Sequence, residues 1–471
     1  MPTTRKLVIV TSAALLLLAG AVLVAILWGA RTLTVAIQER QPGMDRPAKT
    51  GGQADEPMAF TRGKLLPGAG VPANIAGAWP HFRGPNGDNI ATDPTPIARQ
   101  WGTNGPVKLW TLDLGEGFAG AAVLGGRVYI IDYDQPHQAD ALRCLSLADG
   151  QEIWRFTYPV KIKRFHGMSR TVPSVTEKYT VSLGPKCHVV CVDTASGQFI
   201  WGLDLVKEFG AEVPQWYAGQ CPLIDGDRVI LATGGEALMV AVDLATGKVI
   251  WKAPNPRDWK MTHSSIVPME FSGQRTYVYC GSGGVAGVAA NDGQLLWDTD
   301  VWTISIATIP QPLPVGDGKI FLSGGYNSGS LMLQLKHVEN KIVAEPLFRL
   351  KPTEFGAAQQ TPILYDGHIY GVRPDGQLTC LDLNGKVRWA SGGTAKFGLG
   401  SFIMAQGLMF LLNDDGWLTL AEVNPTSYRQ LATTQVLPGH DSWAPMALVS
   451  GRLLTRDMTQ MVCLEVAGAK P

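Results

Sequence analysis

The sequence has no excess charge of either sign: its 471 residues carry 40 Lys and Arg against 40 Asp and Glu. No basic stripe or acidic run stands out, so charge gives no reason to expect nucleic acid as a partner. Neither a Ser-His-Asp triad nor a pair of carboxylates can be assembled from the strand pattern. We therefore predict no catalytic residue, and the class of protein must be argued from repeats.

The first thirty residues differ from all the rest. Arg5 and Lys6 precede an uncharged run from Leu7 to Ala30. At about 1.5 Å per residue this run crosses the roughly 30 Å core of a bilayer, whereas the apolar part of a cleaved signal peptide has only about 7 to 15 residues. We predict an uncleaved transmembrane anchor over residues 1–31, and the alternative is a long signal peptide cut near Ala30.

The positive flank of this run favours a cytoplasmic N-terminus. Residues 32–76 are rich in Gly, Pro, Gln and charged side chains without apolar periodicity, which predicts a flexible tether. Residues 77–471 then form the folded domain. The expected location is the cell membrane, crossed once, with the domain on the periplasmic or extracytoplasmic side.

From Gly77 onward one pattern recurs: an apolar strand ends in a turn, and a glycine in the turn is followed four residues later by tryptophan. Glycine supplies the positive φ of a tight turn, so the flanking runs are expected to be paired antiparallel strands. The five instances are Gly150 to Trp154, Gly197 to Trp201, Gly247 to Trp251, Gly293 to Trp297 and Gly385 to Trp389.

Adding Trp110 as a first marker, with Phe348 and Leu431 as weaker equivalents, gives eight outer strands spaced by 41 to 51 residues. Such a spacing fits a blade of four strands. Leu109 to Leu112 is predicted to be a fourth strand without the three that should precede it. Trp443 to Val466 contains three strands without a fourth, so the two segments are expected to form one blade. The sequence predicts an all-β fold, an eight-bladed β-propeller closed by the N-terminal strand and preceded by one transmembrane helix. Six tryptophans are expected to dock neighbouring blades: Trp110, Trp154, Trp201, Trp251, Trp297 and Trp389.

Seven cysteines in an exported chain would ordinarily suggest disulfides. Four of them recur at one strand position of separate blades, where cysteine behaves as a small buried hydrophobe, so we expect core thiols. Cys187 and Cys191 share one face of a strand, which leaves a bridge or a metal site with His188 as the alternative. His188 points to the opposite face, and we predict no metal site. The four recurring cysteines are Cys144, Cys191, Cys380 and Cys463.

The turn-Gly-Trp element resembles the repeat of the pyrroloquinoline quinone (PQQ)-type propellers. That family includes quinoprotein alcohol dehydrogenases and the propeller lipoprotein of the outer-membrane barrel-assembly machine, and the likeness covers roughly Gly77 to Val466. The run Trp79-Pro80-His81-Phe82-Arg83-Gly84-Pro85 is similar to the opening segment of many exported bacterial members. The resemblance implies that the tryptophan of each outer strand packs between blades.

The resemblance also implies what an enzyme of this family would need. The quinoprotein dehydrogenases hold the cofactor over the channel with adjacent half-cystines, carboxylates and amides for calcium, and a catalytic Asp. Here no two cysteines are adjacent, and the segments that open the innermost strands are mostly neutral. Glu116, Glu354 and Asp441 lie near such openings and would have to converge to bind calcium. We expect no cofactor, and PQQ with calcium remains the alternative.

A polar and aromatic set precedes or enters the inner strands and is expected to ring one mouth of the channel. Propellers bind ligands where the loops of all blades converge, and these groups suit a peptide, a sugar or a planar small molecule equally well. The opposing interpretation is that they only fill the channel. The predicted ligand-binding residues are Arg170, Trp216, Tyr217, Gln220, His263, Gln359, Gln360 and Trp443.

The function most consistent with these patterns is that of a membrane-anchored, exported PQQ-like propeller. We expect it to be a non-catalytic binding or scaffolding module of the cell envelope, with an envelope protein or polymer as its partner. The alternative is a PQQ-dependent oxidoreductase with an atypical cofactor site. Hydrolytic and glycan-binding roles stay open and unranked.

Overall fold

The computed structural model describes residues 18–25, 58–339 and 341–468. The chain divides into two units, Met1–Thr50 and Gly51–Pro471. In the first, residues 18–25 are helical with exposed side chains, and the rest of the predicted anchor lies outside the described residues. Within the described ranges no helix combines the length and the apolar character needed to cross a bilayer.

The second unit begins with a 3-10 turn, Ala59–Arg62, and four strands that join sheets formed later in the chain. These four are β1 (Lys64–Pro67), β2 (Ala78–Trp79), β3 (Ile90–Ala91) and β4 (Val107–Asp113).

Eight antiparallel blades follow, and the predicted all-β, eight-bladed propeller with four-stranded blades is confirmed. Blades 1 to 4 consist of β5 (Ala122–Leu124), β6 (Arg127–Asp134), β7 (Ala139–Ser146) and β8 (Glu152–Pro159); β9 (Ser174–Val175), β10 (Tyr179–Leu183), β11 (His188–Asp193) and β12 (Phe199–Asp204); β13 (Leu223–Asp225), β14 (Arg228–Ala232), β15 (Ala237–Asp243) and β16 (Val249–Pro254); β17 (Val267–Phe271), β18 (Gln274–Gly281), β19 (Gly284–Ala289) and β20 (Leu295–Thr299). A short α-helix, Leu205–Phe209, follows β12.

Blades 5 to 8 repeat this order with the last blade one strand short. They consist of β21 (Leu313–Gly316), β22 (Lys319–Gly324), β23 (Gly329–Val338) and β24 (Lys341–Leu350); β25 (Ile363–Tyr365), β26 (His368–Val372), β27 (Leu378–Asp382) and β28 (Val387–Ala390); β29 (Phe402–Ala405), β30 (Leu408–Leu412), β31 (Trp417–Glu422) and β32 (Arg429–Gln435); β33 (Ala447–Val449), β34 (Arg452–Arg456) and β35 (Gln460–Glu465).

Strand β4 supplies the outer strand of blade 8 by pairing antiparallel with β35, as the lone fourth strand of the sequence predicts. Because β4 comes before blade 1 in the chain and completes the sheet of blade 8, the ring has no open seam between its ends.

The first blade is wider than the repeat requires. β1 pairs with the outer strand β8, and the buried Phe60 packs against Tyr158 and Phe199. The sequence assigns this stretch to the tether of residues 32–76, but from Met58 onward it extends blade 1. The remainder of that tether lies outside the described residues.

Neighbouring blades meet through an aromatic ring and a turn glycine. The Trp110 indole donates to the Leu147 carbonyl of the next blade at 3.1 Å, and a Cβ on Gly150 would lie 2.8 Å from the same ring. In blade 5, where the usual turn is replaced by a longer hairpin, Phe348 takes the tryptophan position and meets Gly385. The turn glycines thus leave room for the preceding blade's aromatic ring. The other turn glycines that meet such a ring are Gly197, Gly247 and Gly293.

All seven cysteines are buried and unbridged, which confirms the prediction of core thiols. Cys187 and Cys191 form no bridge, and the His188 ring lies 3.7 Å from the Asp204 carboxylate.

Candidate functional site at the channel mouth

Residues 79–91, which we call the channel strap, cross the centre of the propeller. The strap starts in blade 1, where Trp79 pairs with the inner strand β5. The Pro80 carbonyl then accepts a hydrogen bond from the Val175 N–H of blade 2 at 2.8 Å. It ends in blade 7, where Ala91 pairs with β29. The motif that resembles the opening of exported PQQ-like propellers therefore lies inside the ring.

Arg83 anchors the strap to blade 6. Its side chain is only 2% exposed, and it donates to the carbonyls of Thr361 and Pro362 at 2.8 and 3.1 Å. Within the strap it donates to Gly87 and Asp88 at 3.0 and 3.1 Å. Burial lowers its pKa to about 10, so the guanidinium stays charged at neutral pH and organises four carbonyls at once.

A cavity of about 110 Å³, which we call the mouth cavity, lies where the loops before the inner strands converge. Five of the eight predicted ligand-binding residues line it: Arg170, His263, Gln359, Gln360 and Trp443. The other lining residues are Phe82, Phe118, Gly219, Cys221, Ile309 and Pro445.

The strap lines the mouth cavity through Phe82. This ring also lines a second cavity of about 280 Å³, whose walls come from His81 and Pro85 of the strap and from the inner strands of blades 3 and 4. Phe82 and Cys221 line both cavities, so the strap borders each of them.

Arg170 carries the positive charge of the mouth cavity. Its guanidinium lies 5.1 Å from the centre of the Phe118 ring and donates to the carbonyls of Trp216, His166 and Gly167 at 2.5, 2.5 and 3.3 Å. Among the described residues it forms no ion pair with a carboxylate, and burial lowers its pKa to about 10. A cation that is bound only by carbonyls keeps its charge available to an anion.

His263 is the second polar group of the pocket. Burial lowers its pKa to about 4, helped by the nearby Arg170 charge and opposed by a hydrogen bond to the backbone of Tyr217. The imidazole is therefore neutral at pH 7. Its Nε2 atom is buried and has no hydrogen-bond partner within the described part of the chain.

An aromatic wall completes the pocket. The Phe118 and Trp443 rings stack with their centres 5.1 Å apart and an interplanar angle of 18°, and His166 packs against both at 5.5 and 5.4 Å. The Trp443 indole is held by a 2.7 Å hydrogen bond to the Asp414 carboxylate. Rings fixed in this way offer a flat apolar surface beside the Arg170 cation.

The remaining three predicted residues, Trp216, Tyr217 and Gln220, are not among the residues that line the mouth cavity. Trp216 and Tyr217 both have left-handed backbones, with φ of 61° and 70°, and the Tyr217 hydroxyl donates to the Lys163 carbonyl at 2.5 Å. Gln220 is fully buried, and both ends of its amide bond to the backbone of Ala232. Ligand binding by these three side chains remains a prediction that their contacts do not address.

Gln360 and Gln359 differ in their contacts although they are neighbours. The Gln360 amide donates to the carbonyls of Trp443 and Leu399 at 2.9 and 3.3 Å, which links the loops of blades 7 and 8. The Gln359 side chain lines the cavity and forms no hydrogen bond within the described ranges. Gln359 is therefore the more available amide.

A third cavity of about 520 Å³ adjoins the mouth, and two of the three carboxylates considered for calcium line it. Glu116 is bound in bidentate fashion by Arg164 at 2.7 and 2.5 Å, and Asp441 lies 3.1 Å from the His440 ring. Glu354 instead accepts a hydrogen bond from the backbone of Lys351 and lines none of these three cavities.

The residues present therefore do not fit the quinone and calcium arrangement that the resemblance implies. Three acidic, histidine or cysteine side chains placed to hold a metal ion are not found anywhere in the described residues. The free, buried thiols provide no half-cystine pair for a ring to stack on.

Two aromatic residues of the site, Phe82 and Phe118, are missing from the predicted set. Phe118 lies two residues before the neutral opening Gly120-Ala121-Ala122, so its position before an inner strand is a signal that could have identified it. For Phe82 there is no such signal, because the strap stands outside the repeat and reaches the pocket only through long-range pairing.

Fold and pocket together define a closed eight-bladed propeller with a strapped channel and one polar and aromatic mouth. Residues 138–391 match the family described as outer membrane protein assembly factor BamB. The chain belongs to this PQQ-like β-propeller repeat family. A relative, outer membrane protein assembly factor BamB of Yersinia pestis, is 23% identical over 292 residues, which cover 49% of this chain and 72% of that protein.

Solved structures share the fold at low identity. BamB from Moraxella catarrhalis superposes with a TM-score of 0.53 and 13% identity over 76% of this chain and 99% of that chain. A europium-containing methanol dehydrogenase gives a TM-score of 0.59 and 12% identity over 82% and 89%. Quinohemoprotein alcohol dehydrogenase from Comamonas testosteroni gives 0.56 and 11% over 83% and 81%. At this identity the likeness concerns the fold alone.

Proposed function

We propose that this chain is an exported, membrane-anchored propeller that acts as a non-catalytic binding or scaffolding module of the cell envelope. Its partner is an envelope protein or polymer that docks at the channel mouth. The observation that carries this proposal is the mouth cavity, in which the unpaired Arg170 cation and the stacked Phe118 and Trp443 rings line one small pocket. Aromatic rings and arginine are the side chains that most often dominate binding at protein interfaces.

Membership of the BamB family supports the same proposal, because the named relative is an assembly factor of the outer membrane. The uncharged run from Leu7 to Ala30 is the basis for the anchor. Alkaline carbonate extraction of cell membranes tests the anchor: the full chain is expected to stay in the pellet, and its release into the supernatant would contradict the anchor.

Site-specific photo-crosslinking in cells tests the docking surface. A photoreactive phenylalanine at position 359 faces the pocket, and the matched control at Arg388 lies on the exposed outer strand β28. We expect discrete crosslinked envelope proteins or polymer from position 359 and none of the same species from position 388. Equal patterns from both positions would remove the mouth as the docking surface.

The quinoprotein oxidoreductase is the second candidate, and the fold likeness to the methanol dehydrogenase favours it. Titration of the protein with PQQ and calcium, followed by absorbance and by reduction of a dye with alcohols, separates the two functions. A saturable spectral change with dye reduction would replace the binding function by an enzymatic one.

A further inference from the structure

The donors and acceptors of the mouth cavity specify what a ligand must offer. Arg170 supplies a positive charge that the described carboxylates leave unpaired, and its guanidinium has five N–H donors, of which the Trp216, His166 and Gly167 carbonyls engage only part. An acceptor with negative charge is the complement. A carboxylate forms charge-assisted hydrogen bonds about twice as strong as those of a neutral carbonyl.

His263 requires a hydrogen-bond donor from the ligand. The ring donates to the backbone of Tyr217, and since Nε2 has no partner, the donating nitrogen is Nδ1. A neutral imidazole carries one proton, so Nε2 is a hydrogen-bond acceptor without a partner, on a ring that lines the pocket. Leaving this buried acceptor unpaired is unfavourable, and a hydrogen bond from a ligand N–H or O–H removes that cost. The ligand must therefore join an anionic acceptor to a nearby donor.

We propose that the mouth cavity binds the C-terminal residue of a polypeptide, with its α-carboxylate on Arg170 and its amide N–H on Nε2 of His263. The carboxylate and the N–H of a terminal residue sit on one Cα, which suits a cation and an acceptor that line the same small cavity. The terminal side chain lies against Phe82, Phe118 and Trp443, which favours an aromatic or large apolar residue. This inference rests on the proposed binding function and names the part of the partner that is held.

Three small probes test each contact on the purified full-length protein by titration calorimetry. N-acetyl-phenylalanine carries the carboxylate, the N–H and the ring; N-acetyl-phenylalaninamide lacks the charge; O-acetyl-3-phenyllactate replaces the N–H by oxygen. We expect the second and third probes to bind at least about tenfold more weakly than the first, in line with one lost hydrogen bond each.

Each probe has an outcome that overturns the proposal. If N-acetyl-phenylalaninamide binds as tightly as N-acetyl-phenylalanine, the proposed contact between the carboxylate and Arg170 is wrong. Equal binding of the ester leaves a site for simple carboxylates and removes the polypeptide assignment. Absence of binding by N-acetyl-phenylalanine removes the site altogether.

Variants assign the contacts to residues. Arg170→Met is expected to abolish the difference between acid and amide, and His263→Phe to abolish only the difference between amide N–H and ester. Arg388→Met removes one exposed positive charge from β28 and is expected to leave all three affinities unchanged. The Arg170 side chain also holds three loop carbonyls, so the Arg170 variant can fail to fold. In that case the wild-type probe series and His263→Phe still test the proposal.

Failure of this inference and failure of the proposed function give different results. Crosslinking at position 359 together with no affinity for N-acetyl-phenylalanine means that a partner docks through another part of its chain. Probe binding that follows the expected series together with no crosslinked macromolecule means that the pocket exists but the scaffold role is wrong.

Discussion

Cys463 lies directly opposite Trp110 in the sheet that closes the ring. The same relationship recurs in the other blades that carry the repeat tryptophan, where a small residue always faces the indole. In blade 4 the constraint is strict, because a Cβ on Gly287 would lie 2.1 Å from the Trp297 ring. The other pairs are Cys144 with Trp154, Cys191 with Trp201, Ala241 with Trp251 and Cys380 with Trp389.

Trp110→Ala is expected to destabilise the propeller by about 3 to 5 kcal/mol, the usual cost of removing a large buried aromatic ring. The loss includes its hydrogen bond to Leu147 and its contact with Gly150 of blade 1. Urea unfolding measures it. Trp417→Ala is the matched control, since that ring is 44% exposed on β31. Equal midpoints for the two variants would mean that the closing strand contributes little to stability.

The cysteines are expected to be inert in the folded protein. Burial raises the pKa of the Cys144 and Cys463 thiols to about 12, so the reactive thiolate is absent at neutral pH. A thiol-reactive dye should label none of the seven before unfolding and all seven in denaturant. Labelling of the native protein within minutes would show that the blades open locally.

Arg83→Met is expected to release the strap without breaking the ring. The substitution leaves the carbonyls of Thr361 and Pro362 without their donor, at about 1 to 3 kcal/mol for each buried unsatisfied group. Hydrogen exchange should rise in residues 79–91 and change little in the outer strands. Arg388→Met is the exposed control, and an exchange pattern identical to that control would show that the strap is held without Arg83.

Asp140 makes stability depend on pH. Burial raises the pKa of its carboxyl to about 7, the Tyr158 hydrogen bond at 3.0 Å lowers it, and the nearby Asp132 charge raises it. Between about pH 4 and pH 7 the unfolded chain ionises at this position while the folded chain keeps the proton. The contribution of Asp140 to the free energy of unfolding therefore decreases as the pH rises through that window, by about 1.4 kcal/mol for each unit of pKa difference.

Asp140→Asn removes this titration while keeping an acceptor for Tyr158. The variant is expected to match the wild type near pH 4 and to be more stable near pH 8. Urea unfolding at both pH values measures the difference, and Asp415→Asn, an exposed carboxylate, serves as control. A variant that tracks the wild type at both values would show that Asp140 is ionised in the folded protein.

The blade count, the closing strand and the core thiols could be predicted because they repeat. A glycine and an aromatic ring at a constant offset mark each outer strand, and the lone strand near Trp110 leaves only one place to pair. The strap could not be predicted in this way. Its partners lie hundreds of residues away, as with Arg83 and Thr361, and no periodic signal identifies them.

The candidate site was predictable only in outline. Arg170, His263 and Trp443 share a position before an inner strand and line one cavity, while ligand binding by them stays a prediction. The same rule selected Gln220, whose amide instead bonds to the backbone of Ala232. Sequence position sets the neighbourhood of a side chain, but its rotamer and hydrogen bonds decide whether the polar atoms face a cavity or the chain itself.

The strap also determines when this protein can become native during its synthesis. Asn89 bonds to the carbonyl of Phe402 across 313 residues, and β4 must wait for β35. The ring and its strap can therefore form only after nearly the whole polypeptide has left the ribosome. Until then the blades already formed remain an unclosed arc with an unpaired edge strand at each end.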